Sequence, residues 1–366
     1  MKENLTNTEL ETYSRQVVLA GIGYSGQLKL KNAKVCIIGM GGLGTQIAFK
    51  LVGMGIGYLR MVDRDIVSRS DLHRQYLYNV DVVGQPKVEA AFRQLNRLNP
   101  DVELDPVPES MNSSNAKALI DGVDIVLDGL DSPQTRYLVN RTCNHFKIPY
   151  VFGSAIEAFG NVSTIVPGKT FCLECFMPGL KDEDLPSCGV VGVHPSVLGL
   201  VTAIQVAEAV RFLTGKDPKL LNKLLYIDLQ ELAFDTIDIS SSQNCPVCGI
   251  KPAGPPERLT DNLFVETCAK DGMRNFIISP RERIEIDIER LDAVLKEKNL
   301  SVKSSSPFGI TFEISEGVQS SFLKSGLMIV QTSPKLKNNI KDDLFATYKS
   351  VLVDGLGLSP DILPDV

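Results

Sequence analysis

Gly39, Gly41, Gly42 and Gly44 form a Gly-x-Gly-x-x-Gly pattern between a short apolar run, residues 33–39, and residues 45–53, whose apolar side chains recur at helical spacing. Strand, tight turn and helix in that order constrain this chain more than any other feature. Without side chains in the turn, backbone N–H groups can approach a phosphate at the helix N-terminus. Residues 58–62 read as a second strand, and Asp63 at its carboxyl end has the spacing of a carboxylate that accepts hydrogen bonds from ribose hydroxyls. Turn and carboxylate together imply a nucleotide, whereas the glycine pattern alone also fits an empty tight turn.

Residues 85–98 look helical and are closed by Asn99 and Pro100, and residues 124–127 read as a further strand that reaches Asp128 and Asp131. Strands alternating with helices imply a Rossmann-like, doubly wound, mostly parallel sheet covered on both faces, with ligands at the carboxyl ends of its strands. Beyond these, residues 150–153, 161–166 and 224–229 look like strands, 170–189 like a cysteine-bearing loop and 197–213 like an amphipathic helix.

A chain of 366 residues exceeds what one hydrophobic core usually serves, so a smaller appended unit is expected. The Pro/Gly-rich stretch 251–256 is the linker candidate, which divides the chain into residues 1–250, a linker over 251–270 and a small α+β module over 271–366. Within that module, residues 275–279, 309–314 and 326–331 read as strands, and 284–298 and 341–353 as helices. A net charge of -6 offers no basic footprint for nucleic acid. The apolar stretch 190–213 is interrupted by His194, Gln205, Glu208 and Arg211, so no membrane span is expected, and no export signal precedes the first strand.

Eight cysteines without a secretory context are metal ligands or thiols before they are disulfides, and the expected compartment is the cytoplasm. Cys172 with Cys175 and Cys245 with Cys248 form two Cys-x-x-Cys knuckles, the four-thiolate set of a structural Zn2+. Such a site contributes about 10–16 kcal/mol of apparent binding energy to joining distant segments. Cys36 and Cys143 read as core residues.

Charge separates the candidate nucleotides. A dinucleotide brings two phosphate charges near the turn, while a triphosphate brings about four and requires cations or a metal. Arg74 and Lys87 follow Asp63 and can meet that load, although either residue alone is an ordinary surface cation.

Tyr13-Ser-Arg15-Gln16, the glycine turn, Asp63-Arg-Asp65, Ser70-Asp71-Leu-His73-Arg74-Gln75, Val83-Gly-Gln-Pro-Lys87, Asp128-Gly-Leu-Asp131, Thr135-Arg136 and the cysteine pairs occur in one order across residues 9–249. In that order they resemble the ThiF/MoeB/HesA family, relatives of the ubiquitin-activating enzymes. The resemblance implies an adenylyltransferase that uses ATP and Mg2+ to activate the C-terminal carboxylate of a small ubiquitin-fold carrier ending in Gly-Gly, for sulfur transfer or protein conjugation. It implies that Gly39, Gly41, Gly42, Gly44, Asp63, Asp65 and Gln75 contact ATP, and that Arg74, Lys87 and Asp131 handle the triphosphate and magnesium. Arg15 is implied to reach the nucleotide site of a neighbouring subunit, hence a homodimer. Cys188 matches a position that carries the acyl group in some members and is dispensable in others, and its place ahead of a helix would lower its pKa. A sulfur donor or conjugating enzyme would then be a further partner. The module beyond residue 270 lies outside the resemblance, and its lack of cysteine after Cys268 excludes a rhodanese; it is expected to bind a partner, support a dimer or stabilise the chain. Asp71 departs from the family's usual Asn and adds a negative charge near the phosphates. The rival readings are an NAD-dependent oxidoreductase, which has no use for Arg74, Lys87 and Asp131 together, and a catalytically silent scaffold.

Overall fold

A computed structural model of the chain describes residues 2–180, 191–252, 263–268, 274–282, 284–332 and 340–364. Strand β1 (Lys34–Ile38) shows why the sheet is covered on both sides: Val35 and Ile37 enter one apolar core while Cys36 and Ile38 enter another. The first core is closed by the helices Gly44–Gly53, Lys87–Leu98 and Pro195–Leu213, through Ile47, Leu51, Val88, Leu95, Val197 and Val201. The second is closed by the helices Ala116–Ile120 and Pro133–Phe146, through Leu119, Leu138, Val139 and Cys143.

The sheet runs β3-β2-β1-β4-β5-β6-β7-β8, with β2 Tyr58–Val62, β3 Glu103–Val107, β4 Ile125–Asp128, β5 Tyr150–Ile156, β6 Phe159–Ile165, β7 Lys223–Asp228 and β8 Ala233–Asp238. Strands β3 through β5 pair in parallel and β5 through β8 antiparallel, so the expected mostly parallel sheet is a mixed one. Chain order reverses between β1 and β4, which makes the crevice beyond their carboxyl ends the topological switch point.

Several expected boundaries move for local reasons. The helix read over 85–98 starts at Lys87, because Pro86 takes an extended ψ of 134° ahead of it. It stops at Asn99, which is extended as a residue before proline tends to be. The helix Pro133–Phe146 is capped by Ser132, whose hydroxyl accepts from Thr135 N, and ends at Lys147 with a left-handed φ of 60°. Within the loop read over 170–189, Leu173–Phe176 is a short helix, and residues 181–190, Cys188 among them, lie outside the described residues. Helix Pro195–Leu213 has the length and hydropathy of a membrane span, yet it packs on β5, β6 and the helix Gly44–Gly53. It also buries Gln205 and Glu208, and Glu208 accepts from Thr164 Oγ1 at 2.9 Å and Leu220 N at 2.7 Å.

A second sheet, entirely antiparallel, follows in the order β11-β12-β13-β14-β10-β9. Its strands are β9 Phe264–Cys268, β10 Arg274–Ile278, β11 Ser301–Ser306, β12 Gly309–Ser315, β13 Val318–Leu323 and β14 Met328–Thr332. Helices Ile288–Glu297 and Lys341–Lys349 cover it, with Phe322 stacked on Tyr348 at 5.5 Å between ring centres. The helix expected over 284–298 begins only at Ile288, because the Asp287 carboxylate accepts from Glu289 N at 2.9 Å and so caps it there. Residues 253–262, most of the linker candidate, lie outside the described residues.

Candidate active site

The glycine turn sits at the switch point, and its glycines are required by close backbone contact. Gly39 has φ +92°, and a Cβ there would lie 2.6 Å from Gly129 O; one on Gly44 would lie 1.9 Å from Gly39 O. No side chain fits at either position. Gly42 has a different reason: a Cβ would meet Leu198 Cδ1 at 2.8 Å, so its absence lets the helix Pro195–Leu213 approach. Around Gly41 there is open space, with only Gln75 Nε2 within 4 Å of a Cβ, at 3.9 Å.

Asp63 faces the turn from the end of β2. Its Oδ2 accepts from Met40 N at 2.6 Å and its Oδ1 from Asp65 N at 2.7 Å. Burial and the neighbouring Asp65 charge push its carboxyl up to about 6, against the pull of Lys87 and the two N–H groups.

The following loop carries the cations, and here the structure resolves what spacing left open. Lys87 Nζ lies 3.0 Å from Asp65 Oδ2 and 3.9 Å from Asp71 Oδ2. Arg74 NH2 lies 3.4 Å from Asp71 Oδ1, and its NH1 donates to Ser70 O at 2.6 Å. Asp71 further accepts from Gln75 Nε2 at 2.8 Å, Ser68 N at 3.0 Å and Ser68 Oγ at 2.9 Å. Arg74 and Lys87 are each 7% exposed, so neither is an ordinary surface cation, and Asp71 at 6% is the hub that neutralises both. Burial alone would discharge Lys87, but Asp65, Asp63 and Asp71 outweigh it and hold the ammonium charged. Asp65 is held below the usual carboxylate range: burial would raise it, and Lys87 and Arg64 overcome that. Gln75 Oε1 is buried and has no hydrogen-bond partner, an acceptor beside the turn.

Asp131 lies exposed just past β4, across the switch point from the glycine turn. The loop that presents it is pinned by a buried network not anticipated from the sequence. Arg136 Nε donates to Asp128 Oδ2 at 3.0 Å, and its NH2 to Leu130 O at 2.5 Å and Gly153 O at 3.0 Å. The Tyr150 hydroxyl also donates to Asp128, and Gln205 Nε2 donates to Asp128 O at 3.0 Å. The Thr135-Arg136 pair was visible in the sequence; its pairing with Asp128 eight residues earlier was not.

Arg15 stands elsewhere. It is exposed on the short helix Ser14–Val17, whose Gln16 Nε2 donates to Met54 O at 2.9 Å, beyond the far end of the helix that starts at the glycine turn. A ten-residue helix separates them by about 15 Å, so within one chain Arg15 does not join the site.

Cys172, Cys175, Cys245 and Cys248 converge with their sulfurs all within 4.8 Å of one another, Cys172–Cys245 at 3.5 Å and Cys175–Cys248 at 3.3 Å. A tetrahedral zinc with bonds of 2.3 Å separates its sulfurs by about 3.8 Å, so the donor set fits that ion in number, chemistry and spacing. The cysteines differ in their surroundings: burial and then Cys175 push Cys248 up to about 12, whereas Cys175 is held below its ordinary value, burial being outweighed by backbone hydrogen bonds at Ser242 and Cys172.

A glycine turn at the switch point of a doubly wound sheet, faced by an acidic ribose-spaced residue and two buried cations, defines a nucleotide-binding α/β protein. Comparison makes this specific. A SAMP-activating enzyme E1 of Haloferax volcanii is 36% identical over 270 residues, 74% of this chain and 98% of that protein. An adenylyltransferase and sulfurtransferase MOCS3 of Drosophila virilis is 38% identical over 312 residues, 84% of this chain and 69% of that protein. Among solved structures, E. coli MccB with MccA-N7isoASN matches at TM-score 0.59 and 26% identity over 67% of this chain and 76% of that one. The chain belongs to the ThiF family, which it matches over residues 13–247. Its enzyme class is adenylyltransferase.

Proposed function

We propose that the chain uses ATP and Mg2+ to adenylate the C-terminal glycine carboxylate of a small ubiquitin-fold protein, either a sulfur carrier or a protein modifier. The observation that carries this reading is the pair of buried cations, Arg74 and Lys87, held opposite the glycine turn by Asp65 and Asp71. The dinucleotide of a hydride-transfer enzyme brings only two phosphate charges, against about four for a triphosphate, and gives no use for Arg74, Lys87 and Asp131 together. The relatives' names, a SAMP-activating enzyme and MOCS3 adenylyltransferases, supply the substrate class.

In the reaction a carboxylate oxygen of the carrier attacks the α-phosphorus of ATP, the P–O bond to the β-phosphate breaks, and pyrophosphate leaves with the electron pair. The nucleophile is already ionised at neutral pH, so no general base is required. The site has to align the groups and stabilise negative charge. Gly39, Gly41 and Gly44 would admit the phosphates to backbone N–H groups, Asp63 would hold the ribose, and Arg74 and Lys87 would neutralise the triphosphate. Asp131 would hold Mg2+, which supplies further charge neutralisation at the pyrophosphate leaving group. Arg15 would act from a second subunit, a role that its distance from its own turn supports, and this makes the enzyme a homodimer. Cys188 would receive the acyl group afterwards, with a sulfur donor or conjugating enzyme as the next partner. The cysteine cluster would hold one structural Zn2+. Residues 1–250 would be the adenylation domain; because β9 (Phe264–Cys268) pairs with β10 of the second sheet, the appended module would begin at Phe264 rather than at residue 271, and the linker would shorten from 251–270 to 251–263. Cys36, Cys143, Cys172, Cys175, Cys245 and Cys248, free of disulfides among the described residues, are consistent with work in the cytoplasm.

The test is mass spectrometry of a Gly-Gly-ending carrier after incubation with enzyme and Mg·ATP. The expected product is the carrier–AMP adduct, lost when the last glycine is removed. Turnover of ATP without any adduct, or an adduct that forms equally on the truncated carrier, would overturn the reading.

A further inference from the structure

The C-terminal sheet does not hang free of the first domain. It rests on the two loops that frame Asp63. Ile66, the residue after Asp65, is buried in a cluster with Ile277, Leu323, Leu327 and Ile329 of the second sheet and its β13–β14 turn. Thr311 of β12 is 3% exposed, and its hydroxyl donates to Gly84 O at 2.7 Å. Ser325 of the β13–β14 turn donates to Pro108 O at 2.6 Å.

These contacts fall at a particular place. Lys87 N donates to Asp65 O at 2.8 Å, Gly84 N to Val67 O at 2.8 Å and Val67 N to Gln85 O at 2.9 Å. Residues 65–67 and 84–87 are therefore the closed root of the loop that carries Asp71 and Arg74. The module touches that root one residue from Asp65 and three from Lys87. On the other side Pro108 follows Val107, whose carbonyl accepts from Asp63 N at 3.2 Å. On the first domain both hydroxyls meet backbone carbonyls, so they act on where the chain runs; within the module Thr311 Oγ1 also lies 2.8 Å from Ser321 Oγ. Gly84, with φ +87°, turns the chain at this point in a conformation that glycine adopts without strain.

We propose that the C-terminal module is an internal brace of the nucleotide site, and that Thr311 and Ser325 are positioning residues that set the affinity for ATP. The brace holds the root of the cation loop and the loop after β3 in one arrangement, so Arg74 and Lys87 need not be reordered when a triphosphate arrives. This rests on the adenylation reading, and it differs from the expectation of a partner-binding appendage: the carrier protein's own binding is not what the module controls.

The experiment uses the full chain with Thr311→Val and Ser325→Ala combined, which removes both hydroxyls at nearly constant volume, and Thr311→Ser as the conservative replacement. Carrier-dependent exchange of pyrophosphate with ATP is measured against ATP and against carrier, with melting temperature as the check on folding. The half-saturating ATP concentration should rise about three- to tenfold in the double variant. The half-saturating carrier concentration and the maximal rate should stay within about twofold, and Thr311→Ser should behave as wild type. A folded double variant with unchanged ATP dependence overturns the brace, as does an equal loss for both substrates. If the double variant melts early, Ser325→Ala alone, in a half-buried turn, decides by the same two dependences. A wild-type chain with no exchange overturns the adenylation reading instead, so the two failures are distinguishable.

Discussion

Replacing Asp71 by Asn should tighten ATP binding, although it removes a buried ion-pair partner. In the free protein the Asp71 carboxylate occupies the cations that a triphosphate needs, at 3.4 Å from Arg74 NH2 and 3.9 Å from Lys87 Nζ. A phosphate oxygen held by the same guanidinium lies about 2.9 Å from a nitrogen, which brings the two negative charges within about 6 Å. At an effective dielectric constant of about 20, unit charges that far apart repel by about 2.8 kcal/mol. With magnesium and solvent sharing the ligand's charge, about 1–2 kcal/mol of this survives, a five- to thirtyfold lower Kd. Asn keeps an acceptor oxygen for Ser68, and Lys87 keeps Asp65 at 3.0 Å, so the loop should stay folded. Titration calorimetry with Mg·ATP measures the affinity, and thermal melting without nucleotide should show a small loss of stability. A folded Asp71→Asn protein that binds ATP equally or more weakly refutes the charge reasoning.

Asp131→Ala should abolish pyrophosphate exchange while leaving the melting temperature within a few degrees, because the side chain is exposed and outside both cores; near-normal exchange would remove its role. The Asp63 carboxyl, raised to about 6, accepts ribose hydroxyls most strongly when ionised, so adenosine binding should weaken by up to about tenfold between pH 7.5 and pH 5. Adenosine has no phosphate to titrate in that window, and Asp63→Asn should bind weakly with no such slope. The sign for folding is opposite: a carboxyl raised above its ordinary value favours the folded state at low pH and loses that contribution as pH rises towards 6. Elemental analysis should find about one zinc per chain, and Cys172→Ser should lower both zinc content and thermal stability; a metal-free, fully stable protein would contradict the knuckle.

The parts of the fold legible in the sequence were those with strong periodicity. Strand β1, its glycine turn and the helix beyond it follow from an apolar run, absent side chains and 3.6-residue spacing. Strand β8 was missed because it is an edge strand whose residues Phe234–Asp238 are all exposed, so no burial pattern marks it. Strand β11, Ser301–Ser306, is mostly serine and lysine and pairs only because β12 supplies an apolar partner. At the candidate site, motif order singled out Asp63, Arg74, Lys87 and Asp131, but it carried nothing about their electrostatics. Nothing in the spacing says that Asp71 binds both cations, or that Arg136 folds back on Asp128. The support from the C-terminal sheet was equally hidden, since Thr311 and Gly84 are separated by 227 residues and form no local pattern.

The decisive measurement is label exchange between pyrophosphate and ATP by the zinc-loaded full chain, offered the Gly-Gly-ending ubiquitin-fold proteins of its own cell. Exchange is expected that depends on one such carrier, disappears when its last glycine is removed, and collapses in Arg74→Ala and Lys87→Ala proteins that remain folded. Exchange that persists at full rate without those two cations would mean that the positive groups gathered at the sheet's carboxyl edge do not serve a triphosphate.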